Sequence, residues 1–148
     1  MATKSTLDTL IELASSASDE AARRLGNAIR ATDKAEKKLE LLQKYRNEYS
    51  ERFQVKMVQG VSPMGYRNFQ AFIEKLDEAI AGQQKLVKEA ENGVTREKVG
   101  WQATERKRLS YNTLASRATR EEQHLENKKD QKLNDEHAAR QGQFKRFQ

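Results

Sequence analysis

The groups in this chain that could hold a metal or move a proton are two histidines and 22 carboxylates. His124 and His137 stand 13 residues apart. On a helix that separation does not bring them to one site, and no i,i+4 pairing of His or Asp forms a metal box. The carboxylates are spread along the chain with nothing to desolvate them, so none is placed for acid–base work. There is no Gly-rich phosphate loop and no nucleophile elbow. The chain has no cysteine, hence no disulfide and no thiolate metal site. The residues give no basis for catalysis and imply no cofactor. What remains is charge: 28 Lys and Arg against 22 acids, a net +6. Locally basic clusters lie at Arg106, Lys107 and Arg108, at Arg117 and Arg120, at Lys128, Lys129 and Lys132, and at Lys145 and Arg146. Acids are interleaved almost everywhere else, as in Glu36-Lys37-Lys38-Leu39-Glu40. That interleaving, without any DNA- or RNA-binding motif, favours a solvated face or an acidic protein partner over nucleic acid.

The elements that would carry these charges are written in the apolar periodicity. From Tyr66 to Ala118 one heptad register holds without a slip. Its a positions are Tyr66, Ile73, Ile80, Val87, Val94, Trp101, Arg108 and Ala115. Its d positions are Phe69, Leu76, Gln83, Ala90, Glu97, Thr104, Tyr111 and Ala118. A period of 3.5 residues held that long winds a helix around a partner helix. The partner is in the same chain. An earlier seam runs Leu7, Leu10, Ala14, Ala17, Ala21, Leu25, Ala28, Thr32, Ala35, Leu39, Leu42, Tyr45, Tyr49, Phe53. Two successive steps of four occur at Ala17–Ala21–Leu25 and at Tyr45–Tyr49–Phe53, which predicts two stutters that locally unwind the supercoil.

Between the seams, Gly60, Pro63 and Gly65 fall within six residues, and Pro63 is the sole proline. Proline in a helix interior loses a hydrogen bond and clashes, so the chain breaks there. The expected fold is all-α: a long two-helix antiparallel coiled-coil hairpin forming a single domain over 1–148. Helix 1 is expected over about 4–58, the hinge over about 59–64 and helix 2 over about 64–140, with a frayed tail at 141–148. At 1.5 Å per residue the helices would measure about 80 and about 115 Å. The second is the longer and overhangs beyond about Arg120, where Leu125 and Leu133 are the remaining spaced apolar residues. Ser5 or Thr6 is expected to cap helix 1, with Asp8 in its first turn.

Composition agrees with a thin bundle. Apolar residues make up 36% and charged residues 34%, which suits a fold that buries only a stripe. No stretch approaches the ~20 apolar residues that span a bilayer, and Met-Ala-Thr-Lys-Ser-Thr-Leu-Asp has no apolar core of a signal peptide. Trp101 is expected to pack over the alanine-rich stretch Ala14–Ala35. Arg108, at an a position, would snorkel or pair with Asp19 or Glu20. The start of helix 2 carries more apolar surface than a two-stranded seam needs. Phe72 and Ala79 sit at g positions beside Phe69, Ile73, Leu76 and Ile80. Part of that stripe is expected to face solvent and to bind a partner.

Three runs carry a family resemblance. Leu41-Leu42-Gln43-Lys44-Tyr45-Arg46-Asn47-Glu48-Tyr49 is similar to an L-x-x-Y-x-x-E-Y run. Asn68 to Ile80 is similar to N-[YF]-Q-x-F-I-x-x-L-x-x-A-I. Glu126 to Arg140, through Asp130-Gln131-Lys132 and Asp135-Glu136, is similar to D-Q-K-x-x-D-E-x-A-x-R. In this order, with a Gly/Pro hinge between the first two, the chain resembles the FliJ family of the bacterial flagellar type III export apparatus. The resemblance implies a non-enzymatic, cytoplasmic stalk peripherally associated with the inner-membrane export apparatus. It implies contacts with the export ATPase and its regulator, with the cytoplasmic region of the membrane export gate protein, and with export chaperones that it escorts. It implies no nucleic acid, and a monomer or weak self-association. By the same analogy Phe72, Leu76, Ala79 and Gln83 would meet the gate. Arg120, Leu125, Lys128, Lys129, Lys132, Leu133 and Arg140 would meet the ATPase ring. The equivalent stalk of a virulence secretion system and a generic coiled-coil scaffold are the alternatives.

Overall fold

In the computed structural model, which describes residues 4–146, the chain folds into two α-helices. Helix α1 spans Lys4–Gln59 and helix α2 spans Pro63–Arg146. The break between them is three residues long. Gly60 has φ +95°, a conformation that residues with a Cβ rarely adopt, and its amide donates to Met57 O at 3.2 Å. Ser62 then caps α2. Its Oγ accepts the Gly65 amide at 3.1 Å and its carbonyl accepts the Tyr66 amide at 3.1 Å. Pro63 follows as the first helical residue, where its missing N–H costs nothing. Gly65 is needed for space: a Cβ there would stand 2.9 Å from Val61 Cγ1.

Helix α1 is already helical at Lys4. Ser5 and Thr6 therefore lie inside its first turn rather than at its cap, and the acid Asp8 lies beyond that turn. At the other end α2 continues through Gln141–Arg146, residues assigned from the sequence to a frayed tail. No proline interrupts that stretch, and Gly142 alone does not stop a helix. Residues 147 and 148 of that tail lie outside the described residues. Among the described residues no helix is long and apolar enough to cross a membrane.

The chain forms two compact units, one of residues 18–103 and one of residues 4–17 with 104–146. In the first, α1 and α2 run antiparallel. Phe53 meets Tyr66 and Phe69, Tyr49 meets Phe69 and Phe72, Arg46 pairs with Asp77, Gln83 reaches Ala35, and Arg24 pairs with Glu97. As one number falls the other rises. On α2 the seam positions from Phe69 to Trp101 are all buried or half-buried, with Leu76, Gln83 and Val87 the deepest. On α1 the buried line runs Ser18, Ala21, Leu25, Ala28, Thr32, Ala35, Leu39, Leu42, Arg46, Tyr49, Phe53. Its steps alternate strictly between three and four, the heptad pattern.

That line corrects both expected stutters. Ser18 is 4% exposed and takes the place given to Ala17, which is exposed. Arg46 is half-buried and takes the place given to Tyr45, which is 49% exposed. A register read from apolar residues steps over Ser and Arg, although both can sit in a seam when their polar atoms find partners. The stutter between Tyr45 and Phe53 disappears. Within residues 18–103 the first disappears as well.

In the second unit Leu7 and Leu10 are half-buried and Ala14 is buried, and on α2 Thr104, Arg108, Tyr111 and Ala115 are half-buried. Arg108 is held along its own helix, with Nη2 2.9 Å from Glu105 Oε2 and Nε 3.2 Å from Oε1. From residue 116 to residue 146 every position is exposed.

Candidate functional site

Two regions hold the residues expected to meet partners, and the sequence builds them differently. The first begins at the turn, in the unit of residues 18–103. Five aromatic contacts cross between α1 and α2. Phe53 stacks on Phe69 with centroids 3.7 Å apart and planes 4° from parallel. Tyr49 stacks on Phe69 at 5.5 Å and leans on Phe72 at 4.5 Å. Tyr45 meets Phe72 edge-on at 6.4 Å, and Phe53 meets Tyr66 at 6.1 Å. Aromatic residues supply large apolar area with few rotatable bonds, so such a ladder fixes register and stiffness together.

One turn further along, Arg46 grips Asp77 through Nε at 2.5 Å and Nη2 at 3.5 Å. The hydrogen bond to Asp77, and then its charge, raise the Arg46 pKa against a small opposing effect of burial. A raised arginine pKa means that the guanidinium's share of the pair's contribution is fully present below the usual arginine range. It is lost only as pH rises through the raised value, so it is constant near neutrality. Beyond this pair Gln83 is 5% exposed, and its Nε2 donates to Ala35 O at 3.0 Å.

These contacts sort the four residues assigned to the gate. Leu76, 9% exposed, and Gln83 are in the seam and present almost no surface. Phe72 is half-buried, with its ring against Tyr45 and Tyr49. Ala79 is exposed. The stripe expected to face solvent is thus largely occupied by α1. Tyr45, 49% exposed, and Leu41, 67% exposed, are the α1 residues that widen what is left. Apolar periodicity did not single them out, because Tyr45 had been placed in the seam and Leu41 beside it.

The second region is the end of α2. Arg120, Leu125, Lys128, Lys129, Lys132, Leu133 and Arg140 are all exposed there, Leu125 by 59% and Leu133 by 63%. Phe144 is exposed by 70%, an apolar residue that the sequence reading passed over. Residues 118–146 hold seven Lys and Arg against six acids. With so little net charge the segment offers local pairs and spaced apolar contacts rather than a long-range field. His137 Nε2 lies 3.3 Å from Gln141 Nε2 on the same face, and both are exposed. Among the described residues no group of three or more His, Cys, Asp or Glu is gathered as a metal site would require.

With this geometry in hand, comparison with known proteins is informative. A family profile described as "Flagellar FliJ protein" matches residues 3–146. A "Flagellar FliJ protein" of Salmonella typhi is 33% identical over 140 residues, covering 95% of each chain. Another of that description, from Escherichia coli (strain K12), is 31% identical over the same length and coverage. The match runs through both helices, the turn and the exposed end of α2.

Proposed function

This chain belongs to the FliJ family of flagellar export proteins, and from that premise we propose that it is a non-enzymatic stalk. It joins the flagellar export ATPase to the membrane export gate and escorts vacant export chaperones. The end of α2 seats in the ATPase ring. There Leu125 and Leu133 supply apolar contacts, and Arg120, Lys128, Lys129, Lys132 and Arg140 pair with acids lining the ring. The observation that carries this reading is the exposure of every residue from 116 to 146 on a continuous helix. A helix that long without a packed face gains little from its own chain and is suited to order against a partner.

The gate contact lies on the unit of residues 18–103. Phe72 and Ala79 supply its accessible part, while Leu76 and Gln83 hold the helices in the register that presents them. The protein works in the cytoplasm, peripheral to the inner membrane, as a monomer or weakly self-associating chain that does not bind nucleic acid. Coupling rests on the stiffness of the paired helices, set by the aromatic ladder and the alternating seam.

The test is the ATP hydrolysis rate and ring assembly of the cognate export ATPase, measured with and without the full chain. Stimulation and promoted ring assembly are expected, and a chain ending at Arg120 should fold yet fail to stimulate. An unchanged rate with a competent ATPase would leave only the gate and chaperone roles. Equal stimulation by the shortened chain would move the ATPase contact elsewhere. For the gate, Ala79→Glu should weaken binding of the gate protein's cytoplasmic region while leaving helicity unchanged.

A further inference from the structure

The turn carries a surface that neither the ATPase nor the gate contact uses. Between Glu51 and Glu74 lie 22 residues without an acid, the longest such interval between acids in a chain that is 34% charged. That interval holds three cations, Arg52, Lys56 and Arg67, all exposed. At its apex the apolar side chains point outward: Val58 is 90% exposed, Met64 70%, Val55 62% and Met57 51%. The rings of Phe53 and Phe69 are taken up by each other just behind. The apex residues are therefore surplus to the packing of the helices.

We infer that this apex inserts shallowly into an anionic lipid surface, with Val58, Met57 and Met64 among the acyl-chain ends and Arg52, Lys56 and Arg67 at the phosphates. The spacing suits that division. Lys56 and Arg67 lie about one helical turn from the break and Arg52 about two, so roughly 6–12 Å back along the helices. That is the depth over which an interfacial segment passes from acyl chain to headgroup, and long cationic side chains reach outward along it. Exposed apolar side chains that include two flexible methionines adapt readily to a fluid surface. Among the described residues no helix is long and apolar enough to cross a bilayer, and the contact inferred is a peripheral, reversible one. It adds a lipid contact to the stalk reading and does not depend on the ATPase contact.

The experiment is co-sedimentation of the full chain with vesicles of phosphatidylcholine alone and of phosphatidylcholine mixed with phosphatidylglycerol. Binding to the mixed vesicles only, weakened by added salt, is expected. Each of Arg52→Gln, Lys56→Gln and Arg67→Gln should weaken it by up to about fivefold, the usual weight of a cation at an anionic surface. Val58→Asp with Met64→Asp should abolish it. Circular dichroism and thermal melting verify that these exposed substitutions leave the helices intact. Changing Arg106, Lys107 and Arg117 to Gln should leave vesicle binding unchanged. The proposal is overturned by absence of binding, by equal binding to neutral vesicles, or by loss of binding through that second basic cluster instead of the apex. Absence of vesicle binding, with export lost in cells carrying the apex variants, would assign the surface to a protein partner. None of these outcomes bears on ATPase stimulation, which tests the stalk separately.

Discussion

Around the turn, residues 52–73 carry three cations and no acid over a ladder of stacked rings, whereas residues 118–146 carry seven cations against six acids on a helix with every residue exposed. Helix α2 contributes to both. Its heptad apolar residues make the difference. Where Phe69, Ile73, Leu76 and Ile80 fill a and d, burial against α1 holds the helix. Where Glu122 and Lys129 take a positions, only local backbone bonding does. In the proposed function the contrast separates two jobs that one surface could not do equally well. A packed segment presents a fixed shape, and an unpacked one orders against whatever it meets. If that division is real, substitutions near the turn should be read in stability, and substitutions along 118–146 in binding alone.

The largest effect is expected at Phe69, whose ring is shared by Phe53 and Tyr49. Phe69→Ala should cost about 2 kcal/mol in urea unfolding, less than a full core truncation because the ring is half-buried. A loss of a few tenths would show that the ladder is not what holds the turn end. Gln83→Ala comes next. It removes a bond to Ala35 O from a buried seam position, worth about 1 kcal/mol. Gln83→Leu should be nearly neutral, because Ala35 O retains its helical partner and the leucine still fills the seam that holds the register; a large loss from Leu would mean that the amide bond, rather than burial at this position, sets the register. Smallest of all, Leu125→Ala with Leu133→Ala should change stability by less than about 0.5 kcal/mol, since both are exposed and Ala is a good helix former. The pair should nevertheless lower affinity for the export ATPase in a binding titration. A cost near that of Phe69→Ala would mean that 118–146 packs on its own chain, and the comparison would collapse.

The sequence was most readable where a single rule governs. Sole proline Pro63 with Gly60 and Gly65 located the break, because proline and a left-handed backbone leave few alternatives. The α2 register held from Phe69 to Trp101 because its a and d residues are mostly apolar. The α1 register was misread at Ala17 and Tyr45, where neighbouring Ser18 and Arg46 are the residues the seam takes in. The Glu97 and Gln83 positions show the same thing from the other helix: polar residues belong to this seam when a partner faces them, Arg24 at 3.5 Å for one and Ala35 O for the other.

The sequence by itself determined that the chain is helical and where it breaks, because periodicity and proline act locally. Its three motif runs also pointed to the family that comparison then established. Which of the apolar residues after the turn stay available was decided only when α1 came to lie against them. Phe72 at a g position, and Leu76 and Gln83 at d positions, are the residues that the resemblance assigned to the gate. Tyr45 and Tyr49 lie against Phe72, the Ala35 carbonyl takes Gln83 and Leu76 is buried, so accessibility is a property of the pair.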